Sequence, residues 1–242
     1  MKFTFLTLFP SLISGYFSDS ILKRALEEGR IEVEWVNPRD FSRDRFKKVD
    51  DYQVGGGAGL VIEPRVMIDA LGAIRKESPD SHIVFLLPAA KPFTHNDARR
   101  LARRISHIVL VCGRYEGIDE RAMEECADEL FSMGDYILTG GEIAALALCD
   151  AVSRQIEGVL GNEESLQGES FEASLLEAPT FARTKTEDGI APPSEYSKGN
   201  HARVSALKRG LSRAKTRYYR PDLYIKYKSK NHAGEKYEKS IY

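Results

Sequence analysis

Along the first 160 residues, short apolar runs alternate with longer segments in which apolar positions recur every three to four residues. The runs KFTFLTLF (2–9), IEVEWVN (31–37), HIVFLLP (82–88), HIVLVCG (107–113) and DYILTG (135–140) are brief and rich in β-branched and aromatic side chains, which predicts strands. The intervening spacing predicts helices from Ser18 to Glu28, Pro64 to Lys76, Thr94 to Arg104, Ile118 to Glu129 and Glu142 to Ile156. Pro64 and Thr94 stand where helix-opening residues belong. Such alternation predicts an α/β domain with a mostly parallel sheet. In an open sheet of this kind ligands collect beyond the carboxyl ends of the strands. Attention therefore falls on three loops that could share one pocket, LLPAAKP (86–92), CGRYEG (112–117) and LTGGE (138–142).

The segment from Glu142 to Ile156 is apolar on nearly every face until Asp150, so it belongs inside the domain or at a subunit contact. Arg154 follows Asp150 by four residues, and an ion pair along the helix is its simplest structural use. After GVLG (158–161) the pattern breaks into polar residues with Gly, Pro and Ser, as in a mobile linker, with a short helical piece expected around Ser170 to Leu176. Residues 200–217 resume a helical pattern, Val204, Leu207 and Leu211 on one side and cations on the other. The expected division is a main domain over 1–161, a linker over 162–176 and a basic helical domain over 177–242.

Composition narrows the function classes. Hydrophobic residues are 42% and charged residues 29%, which excludes a disordered or fibrous chain. No apolar run reaches the roughly 18 residues that a membrane helix requires. The apolar N-terminus is interrupted by Pro10, Ser11, Ser14 and Gly15 and reads as a first strand, not a signal peptide. Three dispersed cysteines, Cys112, Cys126 and Cys149, offer neither a disulfide framework nor a CxxC metal site, which fits a reducing cytoplasm. No paired His or Cys spacing suggests zinc.

The net charge of −1 conceals a strong asymmetry. Residues 195–242 hold 13 Lys and Arg against 4 Asp and Glu, whereas the remaining 194 residues hold 22 against 32. The basic tail also carries seven of the eleven tyrosines. Cations interleaved with aromatics suit a phosphate backbone and splayed bases; a solvated tail fits the charge equally well.

Two motifs carry candidate chemistry. VDDYQVGGGAGLVIEP (49–64) places four glycines in the five residues 55–59, either for close backbone approach to a ligand or as a plain surface turn. No Lys-Ser or Lys-Thr follows, so it is not a triphosphate-binding loop. CGRYEGIDER (112–121) presents Arg114, Tyr115 and Glu116 at a strand tip, where Glu116 could meet a cationic ligand, while Asp119 and Glu120 suit a helix N-terminus.

Together these stretches resemble the bacterial TrmD family, tRNA (guanine(37)-N1)-methyltransferases of the SPOUT class. LFP (8–10), WVNPRDF (35–41), VDD with GGGAG (49–59), VCGRYEGIDER (111–121), GDYILTGGE (134–142), DAVSR (150–154) and GVLG (158–161) occur in family order at family-like spacing. The resemblance implies a SPOUT-type α/β domain with a deep trefoil knot, a small helical C-terminal domain, and an obligate homodimer. It implies S-adenosylmethionine as methyl donor, held by Leu86, Leu87 and Pro88, by Gly113, Tyr115 and Glu116, and by Met133, Gly134, Asp135, Tyr136, Ile137, Leu138, Gly140 and Gly141. It also implies tRNA as substrate, gripped at the anticodon stem-loop by the basic tail, an active site shared between subunits, and an association with magnesium for which the sequence shows no ligand cluster.

N1 of guanine carries a proton, so its methylation needs a base while charge builds on the neighbouring carbonyl oxygen. A carboxylate with an ordinary pKa of about 4.3 is ionised at neutral pH and can accept that proton. An arginine can stabilise the developing oxyanion. The resemblance gives these roles to Glu169, where the family usually has aspartate before Ser-Phe, and to Arg154. The first pocket loop and a tail without tryptophan also depart from the family pattern. A non-catalytic RNA-binding protein and a methyltransferase acting on ribose or ribosomal RNA are the competing readings; retention of Gly140, Gly141, Glu116, Arg154 and the carboxylate at 169 disfavours the first, and the linker carboxylate disfavours the second.

Overall fold

A computed structural model describes residues 1–161, 168–171, 173–182, 192–197 and 199–238 of the 242-residue chain. Two compact units divide it, Met1–Glu163 and Glu164–Tyr242.

In the first unit, β1 (Lys2–Leu6), β2 (Glu32–Val36), β5 (His82–Leu86), β6 (His107–Val111) and β7 (Glu129–Phe131) form one sheet in the order β2-β1-β6-β5-β7, with every neighbouring pair parallel. A separate antiparallel hairpin, β3 (Asp50–Tyr52) and β4 (Leu60–Ile62), frames the glycine-rich loop. The alternation of strand side chains divides the core in two. Phe3, Phe5, Val84, Ile108 and Leu110 face α1 (Ser20–Glu27), α3 (His95–Arg104) and α5 (Glu142–Ser153). Leu6, Ile83, Phe85, Val109 and Val111 face α2 (Pro64–Glu77) and α4 (Glu120–Cys126). Both faces of β6 are covered, which is why all five of its residues are buried.

The helix starts follow their local chemistry. Pro64 opens α2, and Thr94 caps α3 in a reciprocal box in which its hydroxyl oxygen accepts from Asp97 N and the Asp97 carboxylate accepts from Thr94 N. Asp119 caps α4 by accepting from Arg121 N.

One predicted strand is corrected. DYILTG (135–140) forms no ladder; Gly134 has φ +150°, Tyr136 N donates to Gly134 O at 2.9 Å, and Asp135 to Leu138 are exposed. The fifth strand is instead ELF (129–131), whose first residue, Glu129, the helical spacing assigned to the end of the preceding helix. That helix stops at Cys126 because Ala127 turns extended, and Phe131 is then buried beneath Phe93 in an edge-to-face contact at 5.1 Å.

The second unit contains α6 (His201–Tyr219) and α7 (Pro221–Glu238), which pack together. α7 was not predicted, because its apolar positions follow no helical stripe. The helical piece expected around Ser170 to Leu176 is also corrected. Its described residues form turns, with Phe171 at φ +80° and Ser174 at φ +60°, and Phe171 N donating to Leu175 O at 2.7 Å. Those turns are tied to α6: buried Thr216 Oγ1 accepts from Leu176 N at 2.8 Å, and Ser212 Oγ donates to Leu176 O at 2.5 Å. Of the linker expected over 162–176, residues 162–167 and 172 lie outside the described residues. No helix among the described residues is long and apolar enough to cross a membrane.

Candidate active site

β6, β5 and β7 are adjacent and parallel, so the chain leaves Val111, Leu86 and Phe131 on the same edge of the sheet. The three segments that the family resemblance implies for the donor, 86–88, 113–116 and 133–141, therefore start from one edge. The third follows β7 and not the strand expected at 135–140.

Backbone hydrogen bonds lace these segments together. Leu87 N donates to Phe131 O at 3.0 Å, Phe93 N to Ser132 O at 2.7 Å and Ser132 N to Lys91 O at 2.8 Å. Gly141 N donates to Gly113 O at 2.8 Å, which joins the end of β6 to the start of α5. A Cβ on Gly141 would lie 2.8 Å from Gly113 N and 2.9 Å from Cys112 Cα. With φ −78° the need for glycine is one of space and not of backbone angle. The close neighbour of this glycine is thus the chain's own backbone at the strand tip.

Around this crossing lies a buried ionic cluster that sequence spacing did not reveal. Glu142 is 1% exposed; its Oε1 accepts from Thr7 Oγ1 at 2.9 Å and from Arg114 Nε at 3.0 Å. Its Oε2 lies 2.9 Å from Arg114 Nη2, an ion contact off the hydrogen-bonding direction. Arg114 also donates to Thr139 O at 3.1 Å and lies over the Phe9 ring at 4.9 Å. The only sequence signal for this cluster was a glutamate directly after two glycines, paired with an arginine directly after another.

The remaining predicted donor residues lie around the same edge. Leu86 and Leu87 are half-buried and Pro88 is exposed. Tyr115 adopts a left-handed conformation, φ +59°, which costs about 1–2 kcal/mol in a residue with a side chain. Glu116 next to it packs on Gly59, where any Cβ would come within 2.5 Å of its Cγ, and Glu116 N donates to Leu60 O at 2.9 Å. The glycine-rich loop thus meets the 113–117 loop through Glu116. Ser132 Oγ donates to Gly134 O at 3.1 Å, and Tyr136 Oη donates to Met133 O at 3.2 Å. Ile137 is 80% exposed.

At the outer strand, burial pushes the Glu129 carboxylate up, but hydrogen bonds from Lys91, Arg100 and His82 outweigh it and hold the group below its ordinary value. Asp97 behaves likewise: burial raises it, and bonds from Thr94 and Arg100 prevail. Burial raises the thiols of Cys112 and Cys149, so neither is a ready nucleophile.

Arg154 caps the C-terminus of α5, its N–H donating to Asp150 O at 3.0 Å. With Asp150 it lines a cavity of about 510 Å³ that also includes Tyr16, Asp19, Ile21 and Leu22. Tyr16 Oη donates to Asp150 Oδ2 at 2.5 Å, so the carboxylate expected to serve Arg154 is engaged by a phenol 134 residues away in the chain. Glu169 is half-buried in the second unit, between Gly168 at φ +78° and Ser170, whose Oγ accepts from Glu177 N at 3.1 Å. Among the described residues, no group of three or more His, Cys, Asp or Glu could hold a metal ion.

The second unit contains a cationic cleft of about 490 Å³ lined, among the described residues, by Arg213, Ala214, Arg217, Tyr218 and Tyr224. Arginine and tyrosine in one cleft suit a phosphate and an adjacent base.

Residues 1–226 match the family described as tRNA (Guanine-1)-methyltransferase TrmD. The chain belongs to the TrmD family. It is similar to the tRNA (guanine-N(1)-)-methyltransferase of Wolinella succinogenes, 75% identical over 228 residues that cover 94% of this chain and 96% of the relative. That of a Sulfurovum species is 57% identical over 93% of this chain and 99% of its own length. That of Campylobacter curvus is 55% identical over 99% of this chain and 100% of its own.

The family's methyl donor can be tested against these residues. Half-buried Leu86 and Leu87 with exposed Tyr115 and Leu138 offer apolar and aromatic surface for an adenosine, and Glu116 offers a carboxylate for a cationic group. These groups fit S-adenosylmethionine.

Proposed function

We propose that this protein transfers the methyl group of S-adenosylmethionine to N1 of guanine 37 of tRNA, the base next to the anticodon. One observation carries the reading: in a chain matched to the family over residues 1–226, the loops at 86–88, 113–116 and 133–141 leave three adjacent parallel strands on one edge. The donor supplies an electrophilic methyl on sulfur when bound there. The same reading includes the deep knot, with which the close packing of Gly141 on the backbone of Cys112 and Gly113 is compatible.

Within this reading Glu169 accepts the N1 proton and Arg154 donates to O6, where charge builds as the proton leaves. α5 joins the two halves of the site, because its N-terminus follows Gly140 and Gly141 and its C-terminus carries Arg154. The protein is a homodimer, the Glu169 segment of one subunit completing the site of the other. Exposed Leu12, Ile137 and Ile143 support an unfilled apolar contact. The cleft of Arg213, Arg217, Tyr218 and Tyr224 grips the anticodon stem-loop while the target base is turned out of its stack. Such a substrate places the protein in the cytoplasm.

The test is incubation with methyl-labelled donor and tRNA transcripts that differ only at the guanine after the anticodon. Label is expected in the guanine transcript alone; no uptake, or uptake indifferent to that base, contradicts the reading.

A further inference from the structure

We propose that Tyr16 and Asp150 determine specificity by reading the exocyclic amine of the target guanine, an assignment that rests on the function proposed above. The cavity beside Arg154 contains more polar chemistry than oxyanion stabilisation requires. Its volume of about 510 Å³ lies within the range of about 300–1,000 Å³ usual for small-ligand pockets. Ile21 and Leu22 give it an apolar wall, and Ile21 is 42% exposed although it stands beside buried Leu22. A flat aromatic base can lie against such a wall.

The polar groups match one base. Guanine presents, along a single edge, the O6 acceptor, the N1 proton and the amine on C2. Arginine only donates and an ionised carboxylate only accepts, so Arg154 suits O6 and Asp150 suits the amine. The two residues are one helical turn apart, which puts them on the same face of α5. Between them N1 is left for the base and the methyl donor. Adenine carries an amine where guanine has O6, and inosine lacks the amine altogether, so either would leave a group in this cavity without its partner.

Tyr16 fixes the carboxylate. Its hydroxyl donates to Asp150 Oδ2 at 2.5 Å, and an ionised carboxylate has about four lone-pair sites, so capacity remains for the amine. The phenol is itself held edge-on to the Phe17 ring, centroids 6.2 Å apart, and Phe17 belongs to the core. Asp19, the other carboxylate at the cavity, accepts from backbone, Ser20 N at 2.6 Å, as the α1 cap. Asp150 is thus the carboxylate of this cavity oriented by another side chain.

The test compares full-length protein on tRNA carrying guanine or inosine at the target position, with kcat/KM as the readout. The wild type is expected to prefer guanine by about tenfold to a hundredfold, the scale of one hydrogen bond to a charged group. Asp150→Ala should bring that ratio to within about threefold of unity, chiefly through loss of activity on guanine, and Tyr16→Phe should lower it by at least about threefold. The KM for the donor should not change in either variant. A ratio unchanged in both, even with slower turnover, overturns the proposal and makes the pair merely structural. If Asp150→Ala fails to fold, Tyr16→Phe decides alone, since it removes one hydroxyl from a half-exposed ring. A wild type that does not methylate guanine overturns the underlying function and this assignment with it; a wild type that methylates guanine while the variants keep its ratio overturns the assignment only.

Discussion

At Gly141 a single methyl group decides whether two parts of the chain can pack against each other. A Cβ there would stand 2.8 Å from Gly113 N, against backbone that cannot rotate aside. Gly141→Ala should therefore cost at least about 2 kcal/mol of stability, on the scale of overpacked cores, and weaken donor binding. Gly55 is the contrast: its φ of +91° disfavours a side chain, but nothing lies within 4 Å, so Gly55→Ala should cost only about 1–2 kcal/mol. Urea unfolding of both variants checks the difference. Glu142→Ala removes the acid from the buried pair and leaves Arg114, with its side chain 17% exposed, largely uncompensated, for a loss of about 3–5 kcal/mol. The sequence places two glycines directly before Glu142, but does not show that the nearest neighbour of the second is the VCG tip of β6. Close approach is visible in composition; the partner depends on tertiary contact.

The elements were legible where periodicity was strong. β1, β5 and β6, largely buried, and the half-buried β2 beside β1 were predicted from their β-branched and aromatic runs, each a few residues too long. DYILTG misled because its apolar residues are exposed, serving a loop instead of a core. ELF was hidden because three residues are too few to show a period beside an acidic helix. That short strand nevertheless anchors the Glu129 network, and the network makes a pH prediction. Asp97 and Glu129 are held below their ordinary values in the folded chain, so the unfolded chain binds protons more readily in acid. Their contribution is complete above the unfolded carboxylate values of about 4 and is lost as pH falls through the depressed folded values. Glu129→Gln should accordingly lower stability at neutral pH and flatten its acid dependence, measured as thermal midpoints from pH 7 to pH 3.

For the molecule as a whole, the α/β class and the basic, tyrosine-rich tail could be read from the pattern of residues, but α7 and the tie between Leu176 and α6 could not. The shared dimeric site proposed above predicts complementation. Arg154→Ala and Glu169→Gln should each abolish most turnover, yet mixed and refolded together they should recover about a quarter of wild-type activity, since half the dimers are mixed and each has one intact site. No recovery would mean that each chain builds its site alone.

The central claim concerns which atom receives the methyl group. The most direct measurement is mass spectrometry of the nucleosides released from tRNA after a single turnover with S-adenosylmethionine. The expected product is 1-methylguanosine, at the base after the anticodon and absent from the Glu169→Gln reaction. Methylation of the guanine amine or of a ribose hydroxyl, or 1-methylguanosine formed at full rate by Glu169→Gln, would contradict the account.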